Sequence, residues 1–427
     1  MNLLLSYLPL GKVALAFALM LAGIRFRLGL WQSILGGSLV LGLIFGLSPA
    51  GWLAATGEGV ASEKAILLGS LVGLIMVLSD CMEKTGQAGR LMEELTGFLR
   101  SPRLRLVFFP ALIGLLPMPG GAVFSAPMLK GASAHMALDN RERVLLNYWF
   151  RHIWELSWPL YPGILLVSSL SGYPLSTLVV ALLPGTLLFM GLGWFFYLRP
   201  GVLDLSRLGP PPPPPPAGAG RRALREGLPL LLATAGSMGV EGILAVLDTG
   251  LPFEVGVLLG LAAAIAACLV QNRAAAGRAL RGLNFRHMLN MVLVVAAIFA
   301  FKEVLARAGV VDELSRLAGG GAALFACAVF LPMTMGFVSG ITVAYAGASL
   351  PLLLGLLDQT GMRDAALPYV VLTMFSGLTG VMASPIHICF ILTCQYFGVR
   401  LADAWTRLAL PCALFLAGGT AYFFILR

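Results

Sequence analysis

At 427 residues, 58% hydrophobic and 11% charged, with a mean hydropathy of +0.89, the chain is far more apolar than an average soluble protein, in which about 25% of residues are charged. This composition excludes a soluble enzyme and predicts an all-α polytopic membrane protein, with the lipid bilayer as its solvent. The net charge of +9 is no argument for a nucleic-acid partner, because in a membrane protein the placement of Lys and Arg matters more than their sum.

Apolar runs of about 20 residues predict spans near 7–24, 28–47 and 64–82. The first holds Lys12 and has no basic stretch before it, so it reads as a span and not as a cleaved leader. An amphipathic, charged connector covers 83–103. Over 105–131 the chain stays apolar yet carries Leu116, Pro117, Met118, Pro119, Gly120, Gly121 and Pro127, a combination that a continuous helix does not tolerate. Broken backbone inside a bilayer must be covered by protein or line a polar cavity. The stretch is therefore predicted to be a re-entrant hairpin with its tip at 117–121 and arms of about a dozen residues, each too short to cross alone. A charged turn at 139–143 leads into a broken helix over 143–171, interrupted at Trp158, Pro159, Leu160, Tyr161, Pro162 and Gly163, and then a span at 176–198.

Residues 201–226 form a proline-rich cytoplasmic linker in which 210–216 are all proline. Such a run adopts polyproline II at about 3.1 Å per residue, a semi-rigid spacer of roughly 20 Å. The second half, 227–427, repeats the plan of 1–200: spans at 227–247, 252–270 and 287–306, a hairpin over 322–351, a broken helix over 366–396 with its break near Ser384 and Pro385, and a last span at 402–424. The second hairpin opens on the same triplet as the first, Leu331, Pro332 and Met333, followed by Thr334, Gly336, Ser339 and Gly340. Gln87-Ala88-Gly89 before the first hairpin echoes Arg307-Ala308-Gly309 before the second.

Each half thus has about five transmembrane helices plus a hairpin, and the odd count inverts the second relative to the first. With both termini outside, the cytoplasmic loops and flanks hold 22 of the 29 Lys and Arg and the outer side six, as the positive-inside rule requires. Paired interruptions in inverted halves are the sequence mark of a transporter's binding site.

The hairpin tips supply helix termini that suit a carboxylate or another anion. Candidate substrate-binding residues there are Pro119, Gly120, Gly121, Ser125, Thr334, Gly336, Ser339 and Thr342. The alternative role for the small residues is close helix packing. On the first broken helix Asn147, Tyr148, Arg151, His152 and Glu155 form an unusually polar group. Asn147 and Arg151 are candidate anion ligands. Arg151 and Glu155, four apart, are equally placed to neutralise each other on one helix face. His152 and Glu155, with Ser384, are candidates for ion coupling, since histidine and buried carboxylates titrate near neutral pH. His387, just past the Ser384 break, corresponds in position to Tyr161 and joins the candidate substrate site. Asp80 and Glu241 are further charges near spans, able to couple protons or to bond a neighbouring helix. His152 and Glu155, three apart, make half of a metal site, but no second pair of that spacing exists, so no metal is assigned. The six cysteines, with no CxxC pair, read as small core residues.

The stretches Leu116-Pro117-Met118-Pro119-Gly120-Gly121, Asn147-Tyr148-Trp149-Phe150-Arg151-His152-Ile153-Trp154-Glu155 and Ser384-Pro385-Ile386-His387-Ile388-Cys389 resemble those of an uncharacterised integral membrane family, domain of unknown function 401. The layout is in turn similar to the ion transporter superfamily of citrate, gluconate and dicarboxylate carriers. That resemblance implies secondary transport of a small organic anion, a moving transport domain of elevator type, a homodimer and a place in the cytoplasmic membrane. The Ser-Asn-Thr hairpin signatures of sodium–dicarboxylate carriers are absent, which leaves the coupling ion open between Na⁺ and H⁺; no other cofactor is implied. Two other classes compete: a membrane-embedded hydrolase using His152 and Glu155, for which HExxH, GxGD and GxSxG motifs are missing, and a passive channel.

Overall fold

The computed structural model describes residues 8–26, 28–116, 121–134, 136–203, 215–248, 250–315 and 321–427. Among these residues every regular element is helical and there is no strand. Among the described residues nine helices are long and apolar enough to cross a membrane, which makes the chain a multi-pass membrane protein.

The first half begins with α1 (Leu8–Arg25), α2 (Leu30–Ile44), α3 (Pro49–Ala61), α4 (Glu63–Lys84) and the amphipathic connector α5 (Gln87–Thr96). Next come α6 (Pro102–Gly114) and α7 (Ala122–Ala132), the arms of the first hairpin. The first broken helix follows as α8 (Asn140–Arg151) and α9 (Pro162–Ser171), and α10 (Leu175–Gly193) closes the half. In the second half α11 (Ala219–Leu231) runs through a π turn into α12 (Ser237–Val246). It continues with α13 (Phe253–Gln271), α14 (Arg273–Arg281), α15 (Phe285–Arg307) and α16 (Val310–Ser315). The second hairpin is α17 (Gly321–Ser339) and α18 (Thr342–Gln359), the second broken helix is α19 (Ala366–Ala383) and α20 (Ile388–Phe397), and α21 (Leu401–Trp405) and α22 (Ala409–Leu426) end the chain.

Local chemistry sets the starts that matter. The charged turn at 139–143 is a capping box: Asp139 Oδ1 accepts the Glu142 N–H at 2.6 Å, and Glu142 Oε2 accepts the Asp139 N–H at 2.8 Å. It fixes the start of α8, whose residues from Val144 to Arg151 are all buried. In α19 the side chains from Pro368 to Met382 are buried on every face, so this helix forms the centre of the core. It lies backbone to backbone with α17: a Cβ on Gly336 would stand 2.3 Å from the Gly377 carbonyl oxygen, and one on Gly380 2.1 Å from that of Met333. α15 packs against α2, α3 and α4, and α4 packs against α13. The connector α5 is tied into the second half, with Gln87 bonded to Gln271 (2.6 Å) and Asn272 (2.8 Å) and Arg90 paired with Glu226 at 2.9 Å.

Contacts between the halves are reciprocal. The second arm of each hairpin touches the second piece of the other half's broken helix, α7 on α20 and α18 on α9. The first arm of each lies on its own broken helix, α6 on α8 and α17 on α19.

The structure departs from the sequence reading in five places, one of them at the linker, where 219–226 already belong to α11 and the expected span at 227–247 starts eight residues early. The expected span 28–47 is helical only over Leu30–Ile44, and Ser48, whose side chain accepts the Gly51 N–H at 3.0 Å, starts the additional helix α3. The glycines of α3 left no apolar run to read, yet Gly59 lets its backbone rest on that of α15 at Phe299 and Ala300.

In the second hairpin the chain does not break at the Leu-Pro-Met triplet. α17 continues through Pro332, a loss of one helical hydrogen bond that packed membrane helices tolerate. Reversal comes at Gly340, at φ +64°, a conformation that costs other residues about 1–2 kcal/mol, and the hairpin extends to Gln359 instead of 351. Its first arm, at 19 residues, is itself long enough to span, so helix length alone does not divide crossings from hairpins into the expected ten and two.

The first break begins at His152 and not at Trp158. It is held against α6 by Trp154 Nε1–H donating to the Ala111 carbonyl (2.9 Å) and Tyr161 O–H donating to the Gly114 carbonyl (2.7 Å). The last span begins at Ala409, with the separate short helix α21 before it. Prolines 210–214 of the expected linker and the tip of the first hairpin at 117–120 lie outside the described residues.

Candidate functional site

The two breaks meet the hairpins at the start of α7 and at the turn between α17 and α18. Gly121, at the start of α7, lies under Arg151: a Cβ there would stand 2.5 Å from Nη2. Thr342, the first residue of α18, donates its hydroxyl to Glu155 Oε2 at 2.5 Å. The same threonine lies so close to α9 that a Cβ on Gly163 would stand 2.4 Å from its Cγ2. Gly340 faces the second break, where a Cβ would stand 3.1 Å from His387 Cα. His387 and Tyr161 occupy equivalent positions as the residues capping α20 and α9, matching the sequence alignment of the halves.

At the centre, His152 Nε2 and His387 Nε2 are 3.1 Å apart. The tautomers follow from the neighbours. His152 Nδ1 is 2.6 Å from the Tyr148 carbonyl, which can only accept, so Nδ1 carries the proton and Nε2 presents a lone pair. His387 Nε2–H then donates to it, which leaves His387 Nδ1 bare, and that atom is buried without a partner among the described residues. The Tyr148 ring lies against both imidazoles, at centroid distances of 4.9 and 5.4 Å, and its hydroxyl donates to the Met382 carbonyl at 3.1 Å. Cys389 completes the group, with one ligand atom from each of His152, His387 and Cys389 within 4.8 Å of the others. All three are at most 5% exposed.

Of the residues singled out in the sequence, the structure brings Gly121, Arg151, His152, Glu155, Thr342 and His387 together. Asn147 is buried nearby on α8 and bonds Thr393 of α20 at 3.1 Å, while Ser384 lies in the second break with its hydroxyl buried and unpartnered among the described residues. Ser125 and Ser339 turn back on their own helices, Ser339 to the Met335 carbonyl at 2.6 Å. Thr334 is exposed on the outer face of α17, and Gly336 serves the contact with α19; neither reaches the crossing. Pro119 and Gly120 lie outside the described residues.

The expected geometry for Arg151 and Glu155 also changes. α8 ends at Arg151, so Glu155 lies in the turn residues that follow and not on the same helix, where its Oε2 accepts the Thr342 hydroxyl. Asp80 accepts the Asn284 N–H at 2.9 Å at the start of α15, a capping role apart from the crossing. Glu241 lines a separate cleft of about 650 Å³ with Gly172, Ser176 and Asp248. Sequence reasoning missed Cys389 and Thr393, which read as filler inside an apolar stretch. The available signal was the His-x-Cys spacing at the mouth of a helix break.

Fold and site together define a multi-pass helical membrane protein with a buried polar crossing built by both halves of the chain. The chain belongs to the family described as protein of unknown function (DUF401), whose model matches residues 24–207 and 238–425. That match covers every residue of the crossing and leaves out the proline run. No curated protein matches the chain.

Proposed function

We propose that the protein is a secondary active transporter of a small organic anion, most simply a carboxylate, working by alternating access of elevator type around the two hairpins. One observation carries this reading: two hairpins and two broken helices, one of each from either half, meet at a single buried point where Arg151 lies on the backbone of Gly121. Discontinuous helices at an interface of repeats are how carriers expose backbone groups and charge to a substrate inside the membrane. The reciprocal contacts of hairpin arms with the opposite broken helix support reading the halves as inverted-topology repeats.

In this proposal Arg151 and the start of α7 take the anion, while Glu155, Thr342 and Ser384 supply oxygen donors for a coupling Na⁺ or H⁺. The protein sits in the cytoplasmic membrane with both termini outside, as the distribution of basic residues favours, and a homodimer follows from the resemblance to elevator carriers. The test is uptake into proteoliposomes of mono-, di- and tricarboxylates and sulfonates, each with a Na⁺ or a pH gradient. Saturable uptake with counterflow of one anion, driven by one gradient, is the expected result. Flux that neither saturates nor shows counterflow would make the protein a channel, and no flux of any anion would overturn the reading.

A further inference from the structure

We propose that His152, His387 and Cys389 form a binding site for one borderline-soft metal ion of the Zn²⁺ class, joining the two halves of the chain where the broken helices cross. This inference stands independently of the transport reading, since it concerns what the donor atoms bind and not what the protein moves.

The donor set comes first. Two imidazoles and a thiol suit Zn²⁺ and its neighbours and are poor ligands for the hard cations Na⁺, Mg²⁺ and Ca²⁺, which take oxygen. The arrangement is the second point: ligand atoms from three side chains lie within 4.8 Å of one another although His152 comes from the first half and the other two from the second. Metal-ligating histidines characteristically donate their other ring N–H to a carbonyl or carboxylate, which fixes the tautomer and aims the lone pair. His152 does this through Tyr148, and the Tyr148 ring holds both imidazoles in place.

A plain histidine pair accounts for less. It needs no cysteine, whereas Cys389 brings a third ligand atom within 4.8 Å of both imidazoles. On binding, Cys389 gives up its thiol proton and coordinates as thiolate. His387 moves its remaining proton from Nε2 to Nδ1, and both Nε2 lone pairs face the ion. One proton leaves for each ion bound. Three protein ligands leave a fourth position open, as in zinc sites that exchange a small ligand.

The experiment uses the purified full-length protein in detergent, stripped with a chelator and titrated with Co²⁺ and then Zn²⁺. The expected result is one Co²⁺ per chain with a thiolate-to-cobalt charge-transfer band that Zn²⁺ bleaches, and a Zn²⁺-dependent rise in unfolding temperature. Cys389→Ser is expected to remove the band and weaken binding by more than the roughly 10–100-fold that loss of an outer-sphere partner costs. His152→Ala and His387→Ala are expected to weaken it similarly, while Cys394→Ser, a buried cysteine on the same helix, leaves band and affinity unchanged. A wild-type protein that takes up no stoichiometric Co²⁺ would overturn the proposal without recourse to any variant. Persistence of the band in Cys389→Ser would do the same by assigning the thiolate elsewhere.

Discussion

The two hairpins reach the same point by different means. The first has arms of 13 and 11 residues around a tip rich in proline and glycine, and the second has arms of 19 and 18 residues joined by a turn at Gly340 and Ile341. The breaks they meet also differ in length: 152–161 is wide and carries Glu155, whereas 384–387 is narrow and supplies His387, with Cys389 two residues on. The crossing is therefore asymmetric in chemistry though paired in architecture, with Arg151 and Glu155 from the first half, the Cys389 sulfur from the second and one imidazole from each. What the halves share is geometry, a place where backbone approaches so closely that a side chain is excluded.

The comparison is broken most severely at Gly121. Gly121→Leu puts a side chain where the Arg151 guanidinium lies, and anion uptake into proteoliposomes is expected to fall to background while membrane insertion persists; uptake at the wild-type rate would separate the hairpin from the site. The opposite tip is probed by Gly340→Val. A β-branched residue at φ +64° and against His387 is expected to cost at least about 2 kcal/mol, read as lowered thermal stability in detergent.

Thr342→Val sharpens the bridge between halves. It removes the hydroxyl that Glu155 accepts and is expected to cost about 1.5–3 kcal/mol, whereas in a Glu155→Gln background the same change is expected to cost less, so a double-mutant cycle isolates the pair. Tyr161→Phe removes one neutral bond to Gly114, with an expected loss of about 0.6 kcal/mol, the typical value for an interhelical hydrogen bond in a membrane. Thr334→Ala lies at the other extreme: exposed on α17, it is expected to change stability by less than about 0.5 kcal/mol and to leave uptake unchanged.

Much of the architecture was legible in the chain. The largely apolar stretch at 64–82 has one stable solution in lipid, and the observed 22-residue α4 matches this expected span within two residues at either end. The narrow second break was equally legible, because Ser384 and Pro385 interrupt an otherwise apolar stretch and α19 ends at Ala383. The second hairpin's turn was not. Pro332 carries the stronger breaking propensity, but a single missing hydrogen bond inside a packed bundle is cheaper than the signal implies, and Gly340 is one of 51 glycines. Likewise α8 has good helix-forming sequence past Arg151, and the contacts of Trp154 and Tyr161 with α6 end it early.

By itself, then, the sequence determined a membrane-spanning helical chain with an interruption at 384–385 and a polar group at 147–155. These follow from local properties: apolar length, missing backbone donors and charge in an apolar run. Which atoms meet was decided only by the tertiary structure. His152 and His387 are separated by 235 residues and carry no mark that pairs them, and Cys389 looks like any small core residue. Their juxtaposition comes from backbone approaches at Gly121, Gly163 and Gly340, where the absence of a side chain in one half makes room for a functional group from elsewhere in the fold.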